Sequence, residues 1–261
     1  MEERHETFPS LLEASFLVAG LLIIEYILVA AFYDLRFISR GDYRGMWGVI
    51  ALLANGILLT PLLYYKRLSY SSLFHSAKHS ITATLGTLSF PILLVIPGVA
   101  LLMLVVNGAL VWLFPMSGWQ QAMFEKIMSN NLAMIVTVCI LGPVLEEMLF
   151  RGVILRSFLQ QYSRSVSILA SAVLFGAFHL NIYQFVVGFV LGTIAGWLYE
   201  RSRSLLPCIL FHGAYNCAVF WLSLTVREGD LQGMLILYGI ASLVLAVIGG
   251  GMLKRLLEPQ I

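Results

Sequence analysis

The sequence predicts an all-α fold, a polytopic transmembrane helix bundle of about eight spans. Three observations carry that reading. Of 261 residues, 59% are hydrophobic and 11% charged, against about 25% charged in a soluble domain. Mean hydropathy is +0.88. The apolar residues also fall into long, nearly charge-free runs close to the ~20 residues that a helical span requires.

The runs are 11–32, 46–65, 81–114, 131–150, 165–180, 183–199, 204–225 and 232–253. The segment before the first, MEERHETF, is acidic and has no basic n-region. The run that follows is too long for a signal-peptide core, so it reads as an uncleaved first span. The third run contains Pro91, Pro97 and Gly98. It fits either a kinked, tilted helix or a span plus a re-entrant piece. Residues 115–130 are amphipathic and read as an interfacial helix. In the sixth run, Gly188, Gly192 and Gly196 are spaced four apart. They share one helix face and predict close packing against a neighbouring helix. No linker or repeat divides the chain further. It reads as N-terminal helices plus the interfacial helix over 1–130, a chemistry-bearing group over 131–225, and a last span with its tail over 226–261.

Net charge is +2 and no basic block is present, which excludes a nucleic-acid partner. Cys139, Cys208 and Cys217 sit in apolar runs at irregular spacing and read as packing residues. Cations set the orientation. Arg156, Arg164, Arg201, Arg203, Lys254 and Arg255 follow runs that end on one side, and Lys126 and Arg227 fall on the other. The first side is expected to be cytoplasmic, with both termini there, in a multi-pass cell-membrane protein.

Ionisable groups in the hydrocarbon layer are functional-site candidates by default. Here they form three clusters: Glu146-Glu147 with Arg151, Phe175 with His179, and His212 with Asn216. If the fourth span stays helical to Gln160, Glu146 lies about 14 residues before its end, and His179 about 14 residues beyond Ser165. At ~1.5 Å per residue both are roughly 21 Å from the same boundary. His212 and Asn216, entering from that boundary, are roughly 10–17 Å deep. The clusters therefore converge in depth, and the site is expected to be reached from the cytoplasmic side. Glu147 and Arg151 are spaced for a helical ion pair. Glu146 points away without that partner, which suits it to act as a general base. His179 can hold a water, and His212 and Asn216 share a face from which both can donate to an oxyanion. Glu25, Asn55 and Asn107 have no companions at motif spacing and read as packing or cavity residues.

At these clusters the chain resembles the CPBP family, the CAAX proteases and bacteriocin-processing enzymes also called Abi. Its members include the type II CAAX prenyl endopeptidases. The motifs E-E-x-x-x-R, F-x-x-x-H and H-x-x-x-N are intact and in order over about residues 130–222. The resemblance implies that Glu146 and His179 activate water and that His212 and Asn216 form an oxyanion hole. Glu147 and Arg151 support the site, and Phe175 belongs to its second motif. It implies an intramembrane endopeptidase acting on a membrane protein or peptide within the lipid bilayer. No cofactor is favoured. Zinc held by Glu146, His179 and His212 is the alternative, since a Glu with two His is a familiar zinc set. A proton-coupled transporter using the same Glu and His, or a non-catalytic immunity or partner protein, are the competing readings. The substrate, and whether it is prenylated, is not readable from the residues.

Overall fold

The computed structural model describes residues 7–38, 46–77, 80–128, 131–225 and 231–258. Arg227, one of the cations used for orientation, lies outside them. The described residues form helices and no strand, with one isolated bridge between His75 and Ser204. The expected all-α bundle is therefore what is found.

In chain order the helices are α1 (Leu11–Asp34), α2 (Trp47–Tyr65), α3 (Tyr70–Phe74), α4 (Ile81–Leu113) and α5 (Gly118–Ile127). They continue with α6 (Leu132–Gln161), α7 (Arg164–Phe178), α8 (Ile182–Ser202), α9 (Leu205–Thr225) and α10 (Leu231–Leu257). Local chemistry marks several starts. Ser10 and Glu13 form a capping box at α1, Ser80 caps α4, and Ser117 with Gln120 boxes α5. Seven helices among the described residues are long and apolar enough to cross a bilayer. Their outward faces carry exposed apolar side chains such as Phe16, Tyr26, Trp112 and Val247. So much apolar surface is tolerable only against lipid.

Two expectations are sharpened. The third run is one helix, α4, which carries Pro91 and Pro97 without breaking. Its 33 residues extend to about 50 Å, too long to stand upright in a ~30 Å layer. The expected fifth span, 165–180, is shorter than a full crossing. Helix α7 ends at Phe178 because His179 is its C-cap, Leu180 takes a φ of 55°, and the Asn181 side chain caps α8 by accepting from the Gln184 N–H at 2.8 Å. Helices α7 and α8 therefore form a tight antiparallel hairpin with His179 at its tip.

The three glycines of α8 fit that hairpin face as the spacing predicts. Gly188 meets Gly176, Gly192 meets Ala172, and Gly196 meets Ile168. A Cβ placed on Gly188 would stand 2.9 Å from the Gly176 Cα, a backbone atom that cannot step aside. Gly188→Ala is expected to destabilise the protein by about 1–3 kcal/mol through overpacking, read as a lowered unfolding midpoint in detergent.

The other end of the bundle is laced by polar contacts. Arg164 pairs with Glu200 at 2.9 Å, Arg156 donates to the Ser72 carbonyl at 2.9 Å, and Gln161 donates to the Pro9 carbonyl at 3.0 Å. Lys66 donates to the Phe8 carbonyl. The Ser76 N–H reaches the Arg203 carbonyl at 3.0 Å. The starts of α1 and α9 and the ends of α2, α6 and α8 are thereby tied to one level. Helix α6 runs up the centre, with Leu149, Phe150, Val153 and Phe158 fully buried.

Candidate active site

The first cluster sits on α6 between two stretches of π-helix, Thr137–Leu141 and Met148–Leu155. Wide turns of this kind are frequent at functional sites, and the first has a readable cause. Pro143 has no N–H, and its ring clashes with the carbonyl four residues back. The helix widens there, and the Gly142 N–H goes to the Thr137 carbonyl, five residues back. The Val138 carbonyl is then left by Gly142 and cannot be served by Pro143. It accepts instead from Asn216 Nδ2 at 2.8 Å. A proline in α6 thus supplies the anchor that fixes the asparagine of α9.

Glu147 and Arg151 form the expected pair, at 2.9 Å, with each side chain 1% exposed. The same oxygen, Glu147 Oε1, also takes His212 Nδ1 at 3.0 Å. The spacing argument assigned Glu147 to Arg151 alone; the bond to α9 is a long-range fact that no local pattern encodes. A carboxylate accepts, so Nδ1 carries the proton. His212 Nε2 is thereby turned toward Glu146 Oε2, 3.8 Å away, which is beyond hydrogen-bond range. With Nδ1–H committed, Nε2 accepts when the ring is neutral and donates only when it carries both protons.

His179 Nδ1 lies 3.1 Å from the Phe175 carbonyl. A carbonyl has no proton to give, so Nδ1 is the donor and Nε2 of the neutral ring is an acceptor. The Phe175 ring is where the clusters meet. The Arg151 guanidinium stacks over its face at 4.5 Å from the centroid. Both histidine rings meet it edgewise, His179 at 5.4 Å and His212 at 5.5 Å, and Phe150 closes it from below at 5.0 Å.

Glu146, Phe175, His179, His212 and Asn216 all line one cavity of about 570 Å³. Glu147 and Arg151 stand behind that wall. The sequence reading has this site reached from the Arg-rich end, and the structure corrects it. The cavity is bordered by Trp119 and Phe124 of α5 and by Leu180 and Asn181 of the α7–α8 turn. Those residues lie at the opposite end, where the Tyr183 hydroxyl donates to the Phe114 carbonyl at 2.5 Å. The reason is depth: Glu146 lies roughly 22 Å from Gln161, past the middle of a ~30 Å layer.

The N-terminal helices contribute more than the sequence indicated. Glu25, Asn55 and Asn107 line the same cavity. One signal could have found Glu25. It lies about fourteen residues beyond Leu11, and Glu146 about fifteen before Gln161, so two carboxylates share one depth. Among the described residues, no three His, Cys, Asp or Glu side chains stand close enough to hold a metal ion. Glu146, His179 and His212 as placed do not form a zinc cage.

Residues 128–218 match the family model described as Rce1-like, type II CAAX prenyl endopeptidase. Among curated proteins, the chain is similar to "Putative membrane peptidase YdiL" of Bacillus subtilis (strain 168). The two are 27% identical over 195 residues, which cover 72% of this chain and 76% of that protein. No solved structure matches.

Proposed function

We propose, from this chain's place in the CPBP/CAAX protease family, that it is an intramembrane endopeptidase cutting a peptide bond of a membrane-anchored protein or peptide. One observation carries the reading. Glu146 of α6, His179 at the α7–α8 turn, and His212 and Asn216 of α9 line a single cavity, although they arise from three separate segments.

In this reading Glu146 is the general base and His179 Nε2 accepts a hydrogen bond from the same water, holding it for attack. The water oxygen adds to the carbonyl carbon of the scissile bond, and its proton passes to the Glu146 carboxylate. The carbonyl oxygen takes up the negative charge. It receives hydrogen bonds from His212 Nε2–H, with the ring doubly protonated against Glu147, and from the Asn216 N–H not used on Val138. As the C–N bond breaks, Glu146 returns its proton to the leaving nitrogen. The products are a carboxylic acid and an amine, and the acid's proton then passes to the amine to leave a carboxylate and an ammonium. Glu147 and Arg151 position His212, and Phe175 seats both imidazoles. The reaction so drawn has no metal step.

The test uses the full chain in liposomes containing lipid-anchored peptides, with products read by mass spectrometry. Wild type is expected to release two fragments, and His179→Ala, equally inserted, is expected to release fewer by about 10²-fold or more. Uptake of protons or peptide without fragments would favour the transporter. Wild-type activity in His179→Ala would sink the assigned mechanism. Loss with a chelator and return with zinc would replace it by metal-assisted hydrolysis.

A further inference from the structure

The catalytic segments form only one wall of the cavity. Four helices outside residues 128–218 complete the lining, and they bring the carboxylate and amide side chains Glu25 from α1, Asn55 from α2, Asn107 from α4 and Gln120 from α5. Asn55 is 5% exposed, and one of its Nδ2–H donors goes to the Ala51 carbonyl of its own helix at 2.9 Å. That bond fixes the orientation of the amide, and Asn55 Oδ1 is buried with no partner among the described residues. Asn107 Oδ1 is likewise buried without a partner. A buried acceptor left unsatisfied costs about 1–3 kcal/mol. Two such acceptors on one cavity, beside a carboxylate in an apolar layer, form a set complementary to a donor carried by a ligand.

The electrostatics specify that donor. Glu25 and Glu146 line the same cavity. Among the described residues, the cavity lining includes both carboxylates and the indoles of Trp47 and Trp119, and no Lys or Arg. Arg151, the nearest buried cation, is spent on Glu147 and Phe175 behind the catalytic wall. Acceptors, negative charge and aromatic faces are the chemistry that recognises an ammonium or guanidinium group.

We propose that Glu25, Asn55 and Asn107 form a specificity subsite for a basic side chain, Lys or Arg, of the substrate peptide. The subsite lies in the same cavity as Glu146 and His179. It rests on the protease reading for the identity of the ligand as a peptide. The basic residue enters with its aliphatic stem along the apolar wall and its head group against the Glu25 carboxylate. It thereby fixes which bond is presented to Glu146.

The test scans a lipid-anchored model peptide with Lys, or its uncharged isostere norleucine, at each position in turn. The first measurement is the ratio of kcat/KM for the Lys peptide over the norleucine peptide. Wild type is expected to favour Lys by about tenfold or more at one position. The ratio is expected to fall to about twofold or less in Glu25→Gln and in Asn107→Leu. Glu25→Lys is expected to reverse it in favour of a Glu peptide. The second measurement is binding of the same peptides, fluorescently labelled, to Glu146→Gln, which reads the subsite whether or not cleavage occurs. If wild type cuts nothing while Glu146→Gln still prefers the Lys peptide through Glu25, the protease reading fails and the subsite stands. No Lys preference in either measurement, or a ratio unchanged by Glu25→Gln and Glu25→Lys, would overturn the subsite.

Discussion

Glu146→Gln is expected to lower peptide cleavage by about 10²–10⁴-fold, the range a positioned general base contributes, while the protein remains folded. The two halves of this result have separate causes. Glu146 Oε2 is buried without a hydrogen-bond partner and stands 3.8 Å from His212 Nε2, outside bonding range. Among the described residues that oxygen makes no hydrogen bond to the fold. Gln has the same shape and removes one of the two carboxylates that line the cavity, the other being Glu25. The unfolding midpoint is therefore expected to stay level or to rise slightly, because removing an unpaired charge from a desolvated site relieves a cost. Stability given up at a site for the sake of chemistry is a common trade. The check is paired: product formation in liposomes, and thermal unfolding of the same preparations in detergent. A midpoint as low as that of Gly188→Ala would mean that Glu146 holds the fold, and the loss of cleavage would then say nothing about a base.

How much of this was legible in the sequence depends on the range of the interaction. The bundle follows from composition and run length, because lipid exposes the whole outer face to one uniform solvent. The Glu147–Arg151 pair and the α8 glycine face follow from helical spacing alone. The convergence of Glu146 and His179 follows from equal depth on antiparallel neighbours. Four features escaped. The bond from His212 to Glu147 joins residues 65 apart in sequence, and spacing within one helix carries no information about it. The role of Pro143 was hidden because its effect is on a neighbour's carbonyl, which releases Val138 to Asn216. The direction of the cavity was misread because charge in the loops reports which end faces the cytoplasm, not which end of the bundle is hollow. Glu25, Asn55 and Asn107 lie on three helices without a common motif, and only packing brings them together.

Glu147 is expected to give the largest loss of stability. Arg151 is 1% exposed and, among the described residues, has one ion-pair partner, Glu147. Glu147→Ala leaves that guanidinium buried and uncompensated, and breaking a buried pair from one side costs about 3–5 kcal/mol. The Phe175 face at 4.5 Å recovers part of this. The loss reads as a large fall in the unfolding midpoint, with cleavage abolished in whatever remains folded. That single result does not separate a structural role from a positioning one. Removing both charges does, because replacing a buried pair with apolar residues of similar volume is often neutral or better. Glu147→Leu with Arg151→Met is expected to regain most of the midpoint. Cleavage is expected to stay down by about 10²-fold or more, because the His212 imidazole no longer has a carboxylate on Nδ1 to stabilise its doubly protonated, donating form. The pair Glu147→Gln with Arg151→Met keeps an acceptor oxygen for Nδ1 without the charge. It is expected to restore the ring's orientation but not its donor on Nε2, so kcat stays low while KM moves little. Cleavage that returned in step with the midpoint in either double variant would reduce Glu147 to a packing element and remove His212 from the oxyanion role.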